Sequence, residues 1–209
     1  MKEKIILKST NKEEYGDLEI ECRVIENGKI KEYLESIPEE RKAVAYKDGA
    51  VIARKGVEGE EIKTTLITNI DGKTYILHEE EGTVKKNKLK VKTPEGEEIK
   101  SNDIVVTNIS STSNEQYIVK AQKFIDTYVL IDLTEQGLKY VPKYDPRVVT
   151  KIDENIIIIT AWGSKAVCLK GSYIVTYNEE ENDYNTIEEG AFKSTYRIVE
   201  PKNKTKKRR

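Results

Sequence analysis

An internal repeat constrains the fold of this chain more than any other feature of its sequence. Residues 93–130 and 160–199 follow the same order: a turn, an apolar run, a polar loop and a closing Phe-x-x-x-Tyr segment. The only two phenylalanines, Phe124 and Phe192, therefore lie at matched positions 68 residues apart. Because a repeated sequence encodes a repeated structural unit, we predict two related modules.

Short apolar runs separated by turn residues predict that most of the chain forms β-strands. Residues 18–25 alternate apolar and polar side chains, as a half-buried strand does. Asp48-Gly49 and Asp71-Gly72 each lie between two apolar runs, which predicts two β-hairpins. Helical spacing or the Phe-x-x-x-Tyr segment predicts short helices at 30–37, 121–127 and 187–194.

Two strongly apolar stretches add to this prediction. The four consecutive isoleucines at 156–159 cannot all face solvent, so we predict a strand buried on both faces. Residues 128–133 are predicted to form another strand. The fold class expected is mainly β (a β-rich α+β chain), with two tandem small barrel- or sandwich-like modules, short strands and about three short helices.

The predicted organisation has four parts. Residues 1–91 form a β-rich N-terminal region with one short helix, and residues 92–137 form the first, weaker copy of the repeat. Residues 138–200 form the second copy, and residues 201–209 a disordered basic tail. Modules of about 70 residues have marginal cores, so we expect the two copies to pack together.

Composition favours a cytoplasmic location. The sequence has no apolar run long enough to cross a bilayer, and its first residues lack the apolar core of a secretory signal. Cys22 and Cys168 are the only cysteines, which we interpret as two reduced thiols in the core. No membrane partner is expected.

The charge of the chain is unevenly distributed. The tail carries six basic residues and no acidic one: Lys202, Lys204, Lys206, Lys207, Arg208 and Arg209. Removing those six charges from the net charge of −1 leaves −7 on residues 1–201. An acidic body is unsuited to bind phosphate backbones, so nucleic acid is expected to bind only weakly, through the tail. A solubilising end without a role is the other interpretation of the tail.

The sequence offers no recognisable catalytic constellation. His78 is the only histidine, which excludes a zinc site built from several imidazoles and leaves His78 alone for any hydrolytic triad. Glycine-rich phosphate-binding motifs are absent. Acidic residues are numerous, but the groups at 79–81 and 179–183 read most simply as solvated turns. We predict no cofactor and no metal.

Aromatic and basic residues of the second copy are the candidate ligand-binding residues. Trp162, the only tryptophan, lies in a turn-like Ala-Trp-Gly segment, where it either packs in the core or offers a stacking face. Lys143 and Arg147 bracket Tyr144, and Tyr173 follows in the next apolar run. Aromatic faces with nearby cations are typical of nucleotide-binding surfaces.

The second copy also resembles a known family. Its extended segment 140–146, the isoleucine strand, Trp162-Gly163, Gly171-Ser172-Tyr173 and the closing 192–196 segment resemble the PGDYG-type small domain of phage and bacterial proteins of unknown function. Serine replaces the acid of the family's Gly-Asp-Tyr element, whereas the first copy keeps Asp103 but lacks its Gly and Tyr. The resemblance implies a small β-rich module and a phage or prophage origin, and it supplies no catalytic residue.

Three functions are compatible with these features. The first is a non-enzymatic binding protein, phage- or prophage-encoded, that inhibits a host defence system (anti-CRISPR or related) by contact with a host protein. The second is a sponge that sequesters a small, cyclic nucleotide signal. The third is a carboxylate-dependent enzyme acting on a nucleotide or glycan. The missing catalytic constellation favours a binding protein over an enzyme.

Overall fold

The structure is a computed structural model that describes residues 1–26, 28–110, 115–159, 165–178 and 183–199. Within them, eighteen strands, three α-helices and one 3-10 turn confirm the predicted mainly β class. The strands are β1 Lys2–Ser9, β2 Leu18–Ile25, β3 Lys42–Lys47, β4 Val51–Lys55, β5 Glu61–Ile70, β6 Lys73–Thr83, β7 Lys86–Lys92, β8 Glu98–Asn102, β9 Ile104–Asn108, β10 Gln116–Val119, β11 Tyr128–Thr134, β12 Gly137–Pro142, β13 Arg147–Lys151, β14 Ile156–Ile159, β15 Lys165–Cys168, β16 Tyr173–Asn178, β17 Asp183–Ile187 and β18 Tyr196–Ile198. The helices are α1 Ile30–Glu35, α2 Ala121–Thr127 and α3 Glu189–Thr195, and the 3-10 turn is Glu39–Arg41.

The strands form three larger sheets and one separate hairpin. A five-stranded sheet with the order β10-β9-β4-β12-β11 is called here the first repeat sheet. A second one, the second repeat sheet, has the order β17-β16-β13-β3-β18. The six-stranded long sheet has the order β15-β14-β2-β1-β6-β5, and β7 pairs with β8 alone.

The two repeat sheets have the same strand order and the same residue register. Ala53 lies opposite Val106 in the first, and Val149 lies opposite Val175 in the second. On the other side of each sheet, Leu130 pairs with Tyr140 as Ile198 pairs with Ala45. A seven-residue helix precedes the last strand of both sheets. The repeat is therefore structural, and its unit begins earlier than the sequence similarity, at β3 and at β12.

Each repeat gives its first strand to the sheet of the other repeat. β3 directly precedes β4 in the chain, but β3 lies in the second repeat sheet and β4 in the first. In the same way, β12 lies in the first repeat sheet and β13 in the second. The chain therefore crosses between the sheets twice. Neither sheet is complete without a strand from the other repeat.

This exchange makes the predicted hairpin at Asp48-Gly49 wrong. Instead of closing a hairpin, both backbone amides donate hydrogen bonds to the carbonyl oxygen of Thr195, at 2.9 and 3.1 Å. A Cβ atom on Gly49 would lie only 2.8 Å from the Thr195 side chain. The glycine is therefore needed for the close approach of this crossing to the end of α3.

The predicted hairpin at Asp71-Gly72 is confirmed. These two residues connect β5 to β6 with φ angles of 52° and 79°, and the flanking Ile70 and Lys73 are paired. Two successive positive φ values identify the type I′ turn that matches the twist of antiparallel strands. Hydrophobic runs on both sides then extend this hairpin into the long sheet.

The Phe-x-x-x-Tyr segments fill the cores of the repeat sheets. Phe124 stacks on Tyr128 with ring centroids 4.9 Å apart, and Phe192 stacks on Tyr196 at 5.1 Å. Each phenylalanine comes from the helix and each tyrosine from the first residue of the last strand. This arrangement explains the four-residue spacing, which folds one ring back over the other.

Two further predictions concern buried apolar segments, and both are confirmed. The helix predicted at 30–37 is α1, whose Ile30, Tyr33 and Leu34 are buried in one core cluster with Ile174 of the second repeat sheet. The isoleucine strand is β14, which lies between β15 and β2 inside the long sheet. Among the described residues, no helix is long and apolar enough to cross a membrane.

Buried and partly buried tyrosines from both repeats meet at the seam between the repeat sheets. The hydroxyl oxygens of Tyr117 and Tyr128 lie 3.3 Å apart. Burial raises the pKa of Tyr117 far above its usual range, and Tyr128 adds to the shift through its charge and its hydrogen bond. Burial likewise raises the pKa of Tyr196, with smaller contributions from Tyr177 and from Tyr128 across the seam.

We therefore expect the protein to lose stability at alkaline pH. An unfolded tyrosine releases its proton near pH 10, whereas folded Tyr117 and Tyr196 keep theirs to higher pH. Their neutral burial thus stabilises the fold fully below about pH 10 and progressively less above it. Denaturant unfolding between about pH 8 and 11.5 measures this decline. The Tyr117→Phe/Tyr196→Phe variant should show a shallower decline, and an unchanged slope would contradict the assignment.

Candidate functional site

Of the candidate ligand-binding residues that the structure describes, only Tyr144 and Arg147 lie on a shared aromatic surface. Tyr144 is exposed in the connection between β12 and β13, with its ring centroid 4.8 Å from that of Tyr46. Arg147 donates to Asp145 at 2.6 and 3.0 Å, and its guanidinium lies 5.7 Å from the Tyr177 ring centroid. Tyr46, Tyr144, Arg147 and Tyr177 are called here the cationic–aromatic surface.

Lys143 and Tyr173, the other two candidates that the structure describes, have different surroundings. The Lys143 ammonium donates to the carbonyl oxygen of Ile125 at 2.9 Å, at the end of α2. Tyr173 pairs with the last residue of β13, whereas Arg147 is the first residue of that strand, so the two lie at opposite ends of it. The Tyr173 ring stacks on the Phe192 ring with centroids 3.7 Å apart. Trp162 and the tail cations lie outside the described residues: Lys202, Lys204, Lys206, Lys207, Arg208 and Arg209.

An exposed apolar surface lies along β11, the last strand of the first repeat sheet. Six aliphatic residues of β11 and its neighbours are between 40% and 75% exposed. They are Ile125, Val129, Leu130, Ile131, Leu133 and Leu138, and together they are called here the apolar edge. Exposed aliphatic side chains clustered along one strand are typical of interaction sites.

The backbone of β11 is also open on one side. β11 pairs with β12, and no other described strand pairs with its second edge. The pairing slips by one residue between Leu130 and Asp132, so Ile131 is a bulge residue. Asp132 is the only charged residue of the strand. An edge with little charge can accept a further strand through its main-chain groups.

A cleft of about 620 Å³ lies between the long sheet and the second repeat sheet. Its apolar lining comes from Ile20, Ile70, Ile152 and Leu169. Its polar lining includes Thr68 and Asn69 of β5, Lys151 of β13, the 153–155 and 170–172 segments, and Glu188 and Glu189 at the start of α3. This volume is within the usual range of ligand sites.

The charges in the cleft are balanced and mostly paired. The Asp153 carboxylate forms an ion pair with Arg41, whose hydrogen bond lowers the pKa of Asp153. Hydrogen bonds from Lys193 and then from Lys151 lower the pKa of Glu189. These pKa directions mean that both carboxylates are charged at neutral pH.

Two further cleft residues have different partners. The Glu188 carboxylate accepts from the Ala191 amide at 2.9 Å, capping α3, and from the Thr68 hydroxyl at 3.4 Å. Lys170 has no ion pair within 4.0 Å with any described residue, although its charge acts on Asp153 from a longer distance. Lys170 is therefore the cation of the cleft that is available to a ligand.

Metal and thiol chemistry find no support in the described chain. No group of three or more His, Cys, Asp and Glu side chains within it is placed to hold a metal ion. Cys22 and Cys168 are buried free thiols, as the sequence predicts, and burial raises the pKa of Cys168 to about 12. His78 lies 3.7 Å from Glu80 on an exposed strand.

Comparison with protein-family models, with curated proteins and with solved structures finds no match to the chain. Function is therefore inferred from the structure of the chain itself, above all from the apolar edge and the cleft. Sequence patterns indicated neither of them. The cleft joins residues as distant in the chain as Thr68 and Glu188, and the strand prediction at 128–133 did not specify an edge.

Proposed function

We propose that the chain is a non-enzymatic binding protein that acts through protein–protein contact at the apolar edge. The observation that supports this is a contrast between two aliphatic strands. β14 buries three of its four isoleucines in the interior of the long sheet, whereas β11 exposes a similar aliphatic sequence at an edge. Covering exposed aliphatic side chains with a partner removes apolar surface from water, which lowers the free energy of the complex.

The occupant proposed for this surface is an extended segment of a partner protein that adds a strand beside β11. Its main chain would bond the free backbone groups of β11, and its side chains would contact aliphatic residues on both faces. Asp132 is the only charge along the strand, so a segment with few acidic residues is favoured.

A narrower proposal concerns the identity of the partner. The resemblance to phage domains and the net charge of −7 on residues 1–201 support a component of a host defence system. A basic nucleic-acid channel on that component would attract an acidic body. Inhibition would then follow from occupation of the channel, which requires no catalysis.

The test is quantitative capture from a lysate of the host. The variant Leu130→Lys/Leu133→Lys places two charges on the apolar edge, and Ile6→Lys/Val57→Lys places two at exposed apolar residues elsewhere. We expect the wild type and the control variant to capture one partner stoichiometrically and the edge variant to lose it. Equal capture by the edge variant, or no stoichiometric partner, would overturn the proposal.

A second proposal, nucleotide sequestration, is favoured by the cationic–aromatic surface. Tyr144 is exposed there, and Arg147 supplies a cation beside a second ring. The melting temperature in the presence of cyclic and linear nucleotides tests it, and a flat response across the panel rejects it. We make no proposal of carboxylate catalysis, because Asp153, Glu188 and Glu189 in the cleft already have bonded partners.

A further inference from the structure

We propose that the cleft is a second binding site, which receives an extended peptide segment carrying an acidic side chain. The site is separate from the apolar edge, and the proposal does not rest on it. The duplication within the chain supplies the main argument. In the first repeat, a strand of the chain itself occupies the place that corresponds to the cleft of the second repeat.

In the first repeat, the strand at this place is β7, together with the residue before it, Lys85. The Lys85 amide donates to the Asp103 carboxylate at 2.9 Å, and the Asp103 amide donates to the Lys85 carbonyl at 2.8 Å. Further along, the Lys90 amide donates to the Gln122 side-chain oxygen at 2.9 Å. An extended segment of the chain therefore runs from Asp103 to the first turn of α2.

The shared register identifies the matching residues of the second repeat. Ser172 matches Asp103, because each directly precedes its strand, β16 or β9, in the shared register. Gly190 matches Gln122, because each lies two residues before the phenylalanine of its helix. The hairpin at the same place in the second repeat, β14–β15, does not cross these positions, because β14 pairs with β2 in the long sheet. No described strand crosses these positions in the second repeat.

The start of the helix is buried in the first repeat and partly exposed in the second, as expected if a strand covers only the first. Ala121, at the start of α2, is 1% exposed. Its match in α3 is Glu189, whose side chain is 35% exposed and lines the cleft. The same comparison explains why the second copy has serine at the position where the first copy has aspartate. Asp103 holds the chain's own strand, whereas Ser172 has no such strand to hold.

The lining of the cleft specifies the chemistry of the segment. Successive side chains of an extended segment point to opposite sides. Two aliphatic side chains would contact Ile152 and Leu169, and the residue between them would face the polar rim. Because Lys170 is the available cation there, that residue is acidic.

The test uses two synthetic pentapeptides, acetylated and amidated, with the sequences TVEVT and TVKVT. Amide chemical shifts of the labelled full-length protein report both affinity and location. We expect TVEVT to shift the amides around Ile152, Lys170 and Glu189. It should bind about twofold to fivefold more tightly than TVKVT, the range expected for one exposed ion pair.

Charge reversal makes the test specific. Lys170→Glu should reverse the preference in favour of TVKVT, whereas Lys12→Glu, on an exposed loop outside the cleft, should leave it unchanged. The edge variant Leu130→Lys/Leu133→Lys should bind TVEVT as the wild type does, which separates this site from the apolar edge. The absence of cleft shifts, or an unchanged preference in Lys170→Glu, would overturn the proposal.

Discussion

Replacing Ile157 with aspartate is expected to lower the free energy of unfolding by more than about 4 kcal/mol. Ile157 is fully buried in β14, with β15 on one side and β2 on the other. A carboxylate there would have no hydrogen-bond partner and would lose its hydration. Because small domains are stable by only about 5–15 kcal/mol, this loss removes a large part of the stability of the fold. Denaturant unfolding followed by circular dichroism measures the loss.

The matched control makes the same chemical change in the other aliphatic strand. Leu133 is 75% exposed on β11, so Leu133→Asp should change the free energy of unfolding by no more than about 0.5 kcal/mol. A large loss from Leu133→Asp would mean that β11 is buried. Wild-type stability of Ile157→Asp would mean that β14 is not interior.

Replacing Phe192 with alanine is expected to cost about 3–5 kcal/mol. The Phe192 ring is buried between Tyr173 and Tyr196, at 3.7 and 5.1 Å, in the core of the second repeat sheet. Truncation leaves a cavity that these rings cannot fill without moving off their strands. Calorimetry and denaturant unfolding measure the change.

The same substitution also tests how the repeats are coupled. Since each repeat sheet contains a strand from the other repeat, loss of one core should destabilise both sheets together. We expect Phe192→Ala, and equally Phe124→Ala, to unfold in a single transition with coincident curves from different probes. Two separated transitions in either variant would show that the repeats fold independently.

Local patterns in the sequence predicted the helices, strands and turns that are determined by neighbouring residues of the chain. The spacing of Ile30, Tyr33 and Leu34 predicted α1, and the Phe-x-x-x-Tyr segment predicted α2 at its observed bounds. The turn at Asp71-Gly72 was predictable because its two positive φ angles suit this pair of residues. Four consecutive isoleucines predicted a buried strand, because side chains this apolar cannot all face solvent.

Features that depend on distant parts of the chain were not predictable in this way. Asp48-Gly49 has the composition of a hairpin turn, but the contact with Thr195 uses it as a crossing between sheets. β11 and β14 have similar aliphatic composition, and only the order of strands decides that one lies at an edge. The ion pair between Arg41 and Asp153 joins residues that only the folded chain brings together.

The reciprocal exchange of first strands can be tested directly by disulfide cross-linking. Val44 of β3 and Val148 of β13 are Cα partners in the second repeat sheet, and both side chains are more than 40% exposed. Directly paired residues of antiparallel strands have Cα atoms about 4.5–5.5 Å apart, which a disulfide can bridge. If each repeat kept its own first strand, Val44 would instead lie opposite Ile52, as Lys139 does in the first repeat sheet.

Two double-cysteine variants therefore distinguish the arrangements in the monomer under mild oxidation. Cys22 and Cys168 are buried, and burial raises the pKa of both thiols, so they should not compete. The strand exchange predicts a rapid intramolecular disulfide in Val44→Cys/Val148→Cys and none in Val44→Cys/Ile52→Cys. A disulfide in the second variant and not in the first would contradict it.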